Sequence, residues 1–404
     1  MDTGFAQQNI RRLASAGFGI AMAGLALLAP IPHIRASLGR NAQITPPSIA
    51  ATKQAQMPEL PTVKLSGGRV VQRTALSRDG RFLAAAGTGI KIWNIARAQW
   101  NPIGSGWVET LNRSSEPTGE ISFSPDGRVL AAASGRMVKL WRTADGTLLR
   151  SLEGHDSRVT RITHSPDGRV LASASTDGTI RLWLANGGSL RTLKGHSAPV
   201  LALAYAPDGR TLASTAADGT ARIWTFDGRP LRTLKRNSRS SRPFYSRLAF
   251  SPDGRVLADS DGSSITLWRT NGKPIRTLPG HPEMIGKRQS PGIVHHIAFS
   301  PDGRFLASCG DDGTVKLWRT ADGQLLNTLQ GKGGVAMHLA FSPDGRFLAS
   351  GHGAKVRLWL PNGQLFRTLE GQSDIVRHLV FSADGRILST SAGQVVLWRL
   401  DALR

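Results

Sequence analysis

The phrase FSPDGRFLASCGDDGTVKLW at residues 299–318 recurs with variations along most of the chain, and it restricts the fold more than any other feature. Ser300-Pro301-Asp302-Gly303 reads as a tight turn: Pro fixes φ at the first central position, and Gly supplies the left-handed conformation that lets a hairpin close. The flanking IAFS and RFLASC are short, apolar and rich in strand formers. Asp311-Asp312-Gly313 then turns the chain into TVKLW, which alternates apolar and polar residues. A fourth strand follows in QLLNTLQG, so one repeat supplies four strands joined by turns.

The turn recurs at Asp79-Gly80, Asp126-Gly127, Asp167-Gly168, Asp208-Gly209, Asp253-Gly254, Asp302-Gly303, Asp344-Gly345 and Asp384-Gly385, each followed by Arg. The third strand ends in Trp93, Trp141, Trp183, Trp224, Trp268, Trp318, Trp359 and Trp398. A spacing of about 43 residues suits four-stranded propeller blades. One such sheet cannot bury both faces, so the units must stack, and a closed ring leaves only short edges. The eighth repeat lacks a fourth strand, because only RLDALR follows Trp398. PTVKLSGG at residues 61–68 resembles the fourth strands LRTLKGH (190–196) and FRTLEGQ (366–372). The N-terminal strand is therefore predicted to complete the last blade, where an open ring would expose a sheet edge.

Three repeats carry a further set: Gly154-His155, Ser173, Asp177 and Trp183; Gly195-His196, Ser214, Asp218 and Trp224; Gly280-His281, Ser308, Asp312 and Trp318, the last with an insertion after the His. In these residues the chain resembles the WD-repeat β-propeller family over residues 62–404. The resemblance implies an all-β, eight-bladed propeller of a bacterial-type, exported or membrane-anchored member, working as a non-enzymatic protein-interaction scaffold. It also implies that His, Ser, Asp and Trp form a structural hydrogen-bonded tetrad, satisfying a buried indole, hydroxyl and carboxylate through one imidazole. The Asp after the Trp is missing throughout, its place held by Asn94, Arg142, Leu184, Thr225, Arg269, Arg319, Leu360 and Arg399. Five repeats lack the full set, with Gly331-Lys332 and Gly371-Gln372 where a His would stand. These departures leave the fold intact and put the stability of single blades in question.

Ahead of the ring, Arg11 and Arg12 precede an uncharged apolar stretch at residues 13–31, with Arg35 and Arg40 beyond it. This is the layout of a signal sequence or an N-terminal membrane anchor over residues 1–40, expected as an apolar helix, and it predicts export of the propeller. A buried N-terminal helix is the structural alternative. The paired arginines match a twin-arginine export signal only weakly. Residues 41–61, rich in Pro, Ala, Gln and Thr, read as a linker. The formal net charge of +23 points to an anionic partner or surface, although eight charges are the Arg repeated after each turn. The single cysteine, Cys309, excludes an intramolecular disulfide framework.

His155, Ser173 and Asp177 could form a catalytic triad by residue type, but the trio repeats in other blades, whereas a triad is a single constellation. His295-His296 and His378 lack clustered ligands at metal-binding spacing, the adjacent pair His295-His296 reads as exposed loop residues, and no phosphate-cradling glycine motif occurs. No metal, cofactor or enzymatic activity is expected. Recognition is sought where repeats differ. Residues 96–107 carry Trp100 and Trp107; residues 235–245 carry Lys235, Arg236, Arg239, Arg242, Phe244 and Tyr245; residues 279–296 carry Lys287 and Arg288. In the frame that the resemblance implies, the last two connections both join a fourth strand to the next blade's first, leave the same face of neighbouring blades and are expected to form a basic, aromatic rim, unless they are solvated loops. The leading expectation is a monomeric scaffold for a protein partner, exported or tethered to a membrane through residues 13–31. The alternative is a binder of a polyanion: nucleic acid, anionic lipid or an acidic polymer.

Overall fold

The computed structural model describes residues 62–65, 71–87, 89–96, 108–112, 119–236, 246–262, 264–285, 288–290 and 292–403. Among them, the strands form eight four-stranded sheets and one two-stranded ribbon. Blade 6 shows the common plan, running outward through Val294–Phe299, Phe305–Gly310, Thr314–Arg319 and Leu325–Gln330, each antiparallel to the last. Burial falls along this path. The second strand is buried on nearly every residue, the third on four of its six, and the outer one on a single residue.

The turn chemistry is visible atom by atom. The Ser300 hydroxyl donates to Asp302 Oδ1 at 2.6 Å, the Phe305 amide donates to Ser300 Oγ at 3.0 Å, and the Gly303 amide donates to the Ser300 carbonyl at 2.8 Å. Gly303 has φ +70°, where an L side chain is strained. Ser124, Ser165 and Ser342 make the same pair of bonds, while blade 4 has Ala206 in this place and lacks the hydroxyl. The arginines after these turns point outward: Arg128, Arg169 and Arg255 have side chains 85–86% exposed and lie 3.8–4.0 Å from the turn Asp. Such exposed pairs contribute little stability.

Each third-strand tryptophan belongs to the core shared with the preceding blade. Trp183 packs with Val138, Leu140 and Leu152 of blade 2, and Trp318 with Ile265, Leu267 and Leu278 of blade 5. Trp93 packs with Val395 and Leu397 of blade 8, so the apolar core runs across the closure. The hydrogen bonds close there as well. Thr62–Leu65 pairs antiparallel with the third strand of blade 8, in the register Thr62↔Trp398 to Leu65↔Val395. The expected N-terminal apolar helix and the linker lie outside the described residues. No helix among the described residues is long and apolar enough to cross a membrane.

Two features of the long connections differ from expectation. His295 and His296 do not sit in a loop but on the inner strand of blade 6, Val294–Phe299, where His295 is only 7% exposed. Within residues 279–296, Glu283–Ile285 and Arg288–Ser290 pair as the short ribbon.

Candidate functional site

The structure brings each of the three sequence-identified sets together. In blade 3, Trp183 Nε1 donates to Ser173 Oγ at 2.8 Å, Ser173 Oγ lies 2.8 Å from His155 Nε2, and His155 Nδ1 lies 3.1 Å from Asp177 Oδ2. The corresponding distances are 2.8, 2.8 and 2.8 Å for Trp224, Ser214, His196 and Asp218. For Trp318, Ser308, His281 and Asp312 they are 2.9, 2.9 and 2.7 Å. One proton arrangement satisfies the whole chain: indole N–H to serine oxygen, serine O–H to His Nε2, His Nδ1–H to carboxylate.

Electrostatics agree with that arrangement. Burial pushes His155, His196 and His281 below the usual imidazole range despite the facing carboxylates, so all three bridge as neutral rings. Burial would raise Asp177 and Asp218, but the hydroxyl and amide of Thr179 and Thr220 together with the facing His155 and His196 hold both carboxyls low. Asp312 is driven down to about 2, burial being overcome chiefly by the bond from His281. Each serine is fully buried and already accepts the indole proton. The trio therefore has the composition of a nucleophilic triad but presents no hydroxyl to a substrate.

Of the other blades, blade 7 keeps a serine at the tetrad position, Ser350, and four place different residues there: Ala85 in blade 1, Ala132 in blade 2, Asp259 in blade 5 and Thr390 in blade 8. In blade 7, Trp359 Nε1 donates to Ser350 Oγ at 2.7 Å, and the imidazole comes from within the same strand, His352 Nε2 lying 2.8 Å from that oxygen. Gly331 is open enough to admit it; a Cβ there would lie 1.9 Å from His352 Nδ1. In blade 8, Gln372 donates its amide to Thr390 Oγ1, which also accepts Trp398 Nε1 at 3.3 Å. Neither replacement was foreseen from the sequence.

Blade 5 corrects one assignment to the basic rim. Arg236 is turned inward: its Nε bonds Asp259 Oδ2 at 2.8 Å and its Nη1 bonds Ser246 Oγ at 3.1 Å, with Arg236 and Asp259 side chains 3% and 0% exposed. A buried carboxylate at the serine position needs a cation, and Arg236 supplies it. Of the remaining rim residues, Lys235 is exposed at the end of its outer strand and Arg288 lies on the ribbon. Arg239, Arg242, Phe244, Tyr245 and Lys287 lie outside the described residues, as do Trp100 and Trp107.

The opposite face, formed by the Ser-Pro-Asp-Gly turns and the turns into the outer strands, carries exposed apolar groups. Leu148, Leu184, Phe226, Leu325 and Leu365 stand at or beside those outer turns, Phe226 at 57% exposure. Clefts open between blades on this face. One of about 510 Å³ lies between blades 6 and 7 beside Pro301, Phe305, Phe341, Leu360 and Pro361, and its counterpart of about 380 Å³ lies between blades 2 and 3 beside Pro125, Val129, His164 and Leu184. Their equivalence makes them products of the repeat. No cluster among the described residues could hold a metal ion.

Eight sheets closed by strand exchange between the termini of the ring, with indole–hydroxyl–imidazole–carboxylate links, define the class of WD-type β-propellers. The family model for the WD domain, G-beta repeat, matches residues 110–142, 146–183, 187–225, 272–319, 323–359 and 363–399, more than half of the chain, which belongs to this family. The chain is similar in structure to the computationally designed Ika8 protein, with a TM-score of 0.68 and 25% sequence identity over 83% of this chain and 98% of that one. No curated protein matches it in sequence.

Proposed function

We propose that this propeller is a non-enzymatic scaffold that docks a protein partner on the face bearing the Ser-Pro-Asp-Gly turns, and that it is exported or membrane-tethered through residues 13–31. Members of the WD-repeat family work as interaction scaffolds, and that is the class-level reading. The observation that carries the finer one is the ring of exposed apolar side chains, Leu148, Leu184, Phe226, Leu325 and Leu365, interleaved with outward-pointing arginines. Aromatic, apolar and arginine side chains together are the composition of protein interfaces, and exposed apolar groups rimmed by charge mark interaction surfaces. The histidine-bearing sets are consumed inside the blades, which leaves recognition to surface and loops.

The test is a photo-crosslinking phenylalanine analogue at Phe226 in the native cell. A discrete protein adduct whose yield changes little over a roughly fourfold rise in salt supports the reading. Adducts that vanish steeply with salt, or that carry nucleic acid or lipid, would replace it with polyanion binding. Mass spectrometry of the mature N-terminus in soluble and membrane fractions tests the tether: an intact terminus in the membrane fraction supports an anchor, and an intact soluble cytoplasmic chain refutes export.

A further inference from the structure

The register of the inner strands aligns one residue per blade, four positions before the residue that opens each Ser-Pro-Asp-Gly turn or its variant. Read around the ring these are Arg73, Glu120, Arg161, Ala202, Arg247, His296, His338 and His378. Their side chains meet across the blades. Glu120 lies 3.9 Å from Arg73 and 3.8 Å from Arg161; the His296 and His338 rings are 3.7 Å apart, and those of His338 and His378 are 4.3 Å apart. Several lie over the free inner edge of the next blade: Arg247 Nε donates to the His295 carbonyl at 2.8 Å, and the Leu379 amide donates to His338 Nδ1 at 3.3 Å. His378 Nδ1 reaches Thr74 Oγ1 of blade 1 at 3.2 Å, completing the circuit. The eight positions are equivalent places on the innermost strand of each blade, so they line the ring axis.

The charges on this girdle do not balance. Three guanidiniums face one carboxylate, leaving two positive charges among side chains that are only partly exposed, Arg73, Glu120 and Arg161 at 23–27%. Glu120 is shared between Arg73 and Arg161. Arg247 has only carbonyl acceptors, His295 and Ser246, and no ion pair among the described residues. Between Arg161 and Arg247 the blade 4 position is Ala202, a buried methyl, so neither a polar side chain nor a counter-charge at this position separates the two cations. Burial first, and then the neighbouring Arg161 and Arg73, pull Arg247 down to about 9, with Glu120 opposing them. Burial likewise holds His378 down to about 3 and His296 and His338 far below the ordinary range, so these rings are neutral and can donate an N–H without adding charge.

We propose that this girdle is a binding site for a small phosphate-class dianion, held in the axial channel between Arg161 and Arg247 beside Ala202, with Arg73 and the histidines completing the shell. A dianion matches the excess charge, and planar guanidinium forks suit tetrahedral oxyanions. This site is distinct from the surface docking proposed above and stands or falls separately.

The experiment is calorimetric titration of the full chain with inorganic phosphate and with pyrophosphate at constant ionic strength, coupled to ¹⁵N spectra of the histidine rings. Saturable binding with shifts confined to His296, His338 and His378 is expected. Arg247→Met should weaken affinity about tenfold or more, the effect of losing one charge-assisted contact. Arg128→Gln, on the outer surface, should leave affinity unchanged. Glu120→Gln, which removes the competing carboxylate, should tighten binding several-fold and provides a readout should Arg247→Met fail to fold. Absence of binding, binding that leaves those histidines unmoved, equal loss in Arg128→Gln, or weaker binding in Glu120→Gln would overturn the proposal.

Discussion

Blades 3 and 5 fill the same interior position by opposite means. In blade 3 a neutral serine sits between an indole and a neutral imidazole, and indole, hydroxyl and imidazole each find a partner. In blade 5 the position holds Asp259, countered by Arg236, and Trp268 Nε1, Asp259 Oδ1 and Arg236 Nη2 are buried without hydrogen bonds. A neutral relay can pass one proton per link and satisfy both ends. An ion pair spends its strongest contact on itself and leaves the indole unserved. Blade 5 therefore depends on charge compensation where blade 3 depends on geometry.

The largest effect should come from the closure that both blades rely on. Deleting residues 62–65 leaves the third strand of blade 8 as an open edge, and the variant should associate or melt far below the intact chain. A monomer of unchanged melting, seen by light scattering and calorimetry, would show that the ring does not need this strand. Next, Trp183→Ala should cost about 3–5 kcal/mol, removing both core volume and the indole donor. A loss below about 1 kcal/mol would mean the tryptophan does not anchor the blade. Arg236→Met should cost a similar amount, about 3–5 kcal/mol, by stranding Asp259. If it costs no more than an exposed arginine such as Arg169, blade 5 does not hold a true ion pair.

The comparison sharpens with pH. Burial raises Asp259 to about 6, against the opposing pull of Arg236, whereas Asp312 of a complete set falls to about 2. A raised carboxyl binds its proton more tightly in the folded chain, so its contribution is fully present below about 3.8 and is lost as pH rises through about 6. Asp312 has the opposite sign, its contribution being present above about 3.8 and lost as pH falls toward about 2. Relative to Asp259→Asn, the native chain should therefore lose about 2 kcal/mol between pH 4 and 7. Parallel stability curves for the two chains across that range would contradict it.

Much of this was legible because it repeats. Turn glycines, strand tryptophans and three tetrads stand at fixed spacing, and the missing outer strand of blade 8 was visible as a leftover at the other end of the ring. Arg236 was misplaced because a basic run such as KRNSRSSR reads as a solvated surface; aligning Asp259 with Ser173 and Ser214 was the signal that a buried cation was needed. The channel girdle was hidden for the reverse reason. Its position is periodic but its residues are not, and Arg, Glu, Ala and His at equivalent sites show no pattern until the strands are in register.

His352 offers the finest test, because blade 7 rebuilds the indole–serine–imidazole part of the blade 3 set from a different place in the chain, without the carboxylate. The imidazole reaches Ser350 from two residues along the same strand, and it fits because Gly331 has no side chain. Gly331 is outside the left-handed region, so any penalty for Gly331→Ala is one of space alone. His352→Ala alone should cost about 1–3 kcal/mol, the price of a buried hydroxyl losing its acceptor while still receiving Trp359. Gly331→Ala alone should cost about 1–3 kcal/mol by displacing the ring. The double variant should cost clearly less than the two together, since the added methyl then occupies the space that the imidazole vacated. Additive losses in denaturant melts would mean that His352 and Gly331 are independent, and that blade 7 is held as blades 1 and 2 are, by apolar packing without a relay.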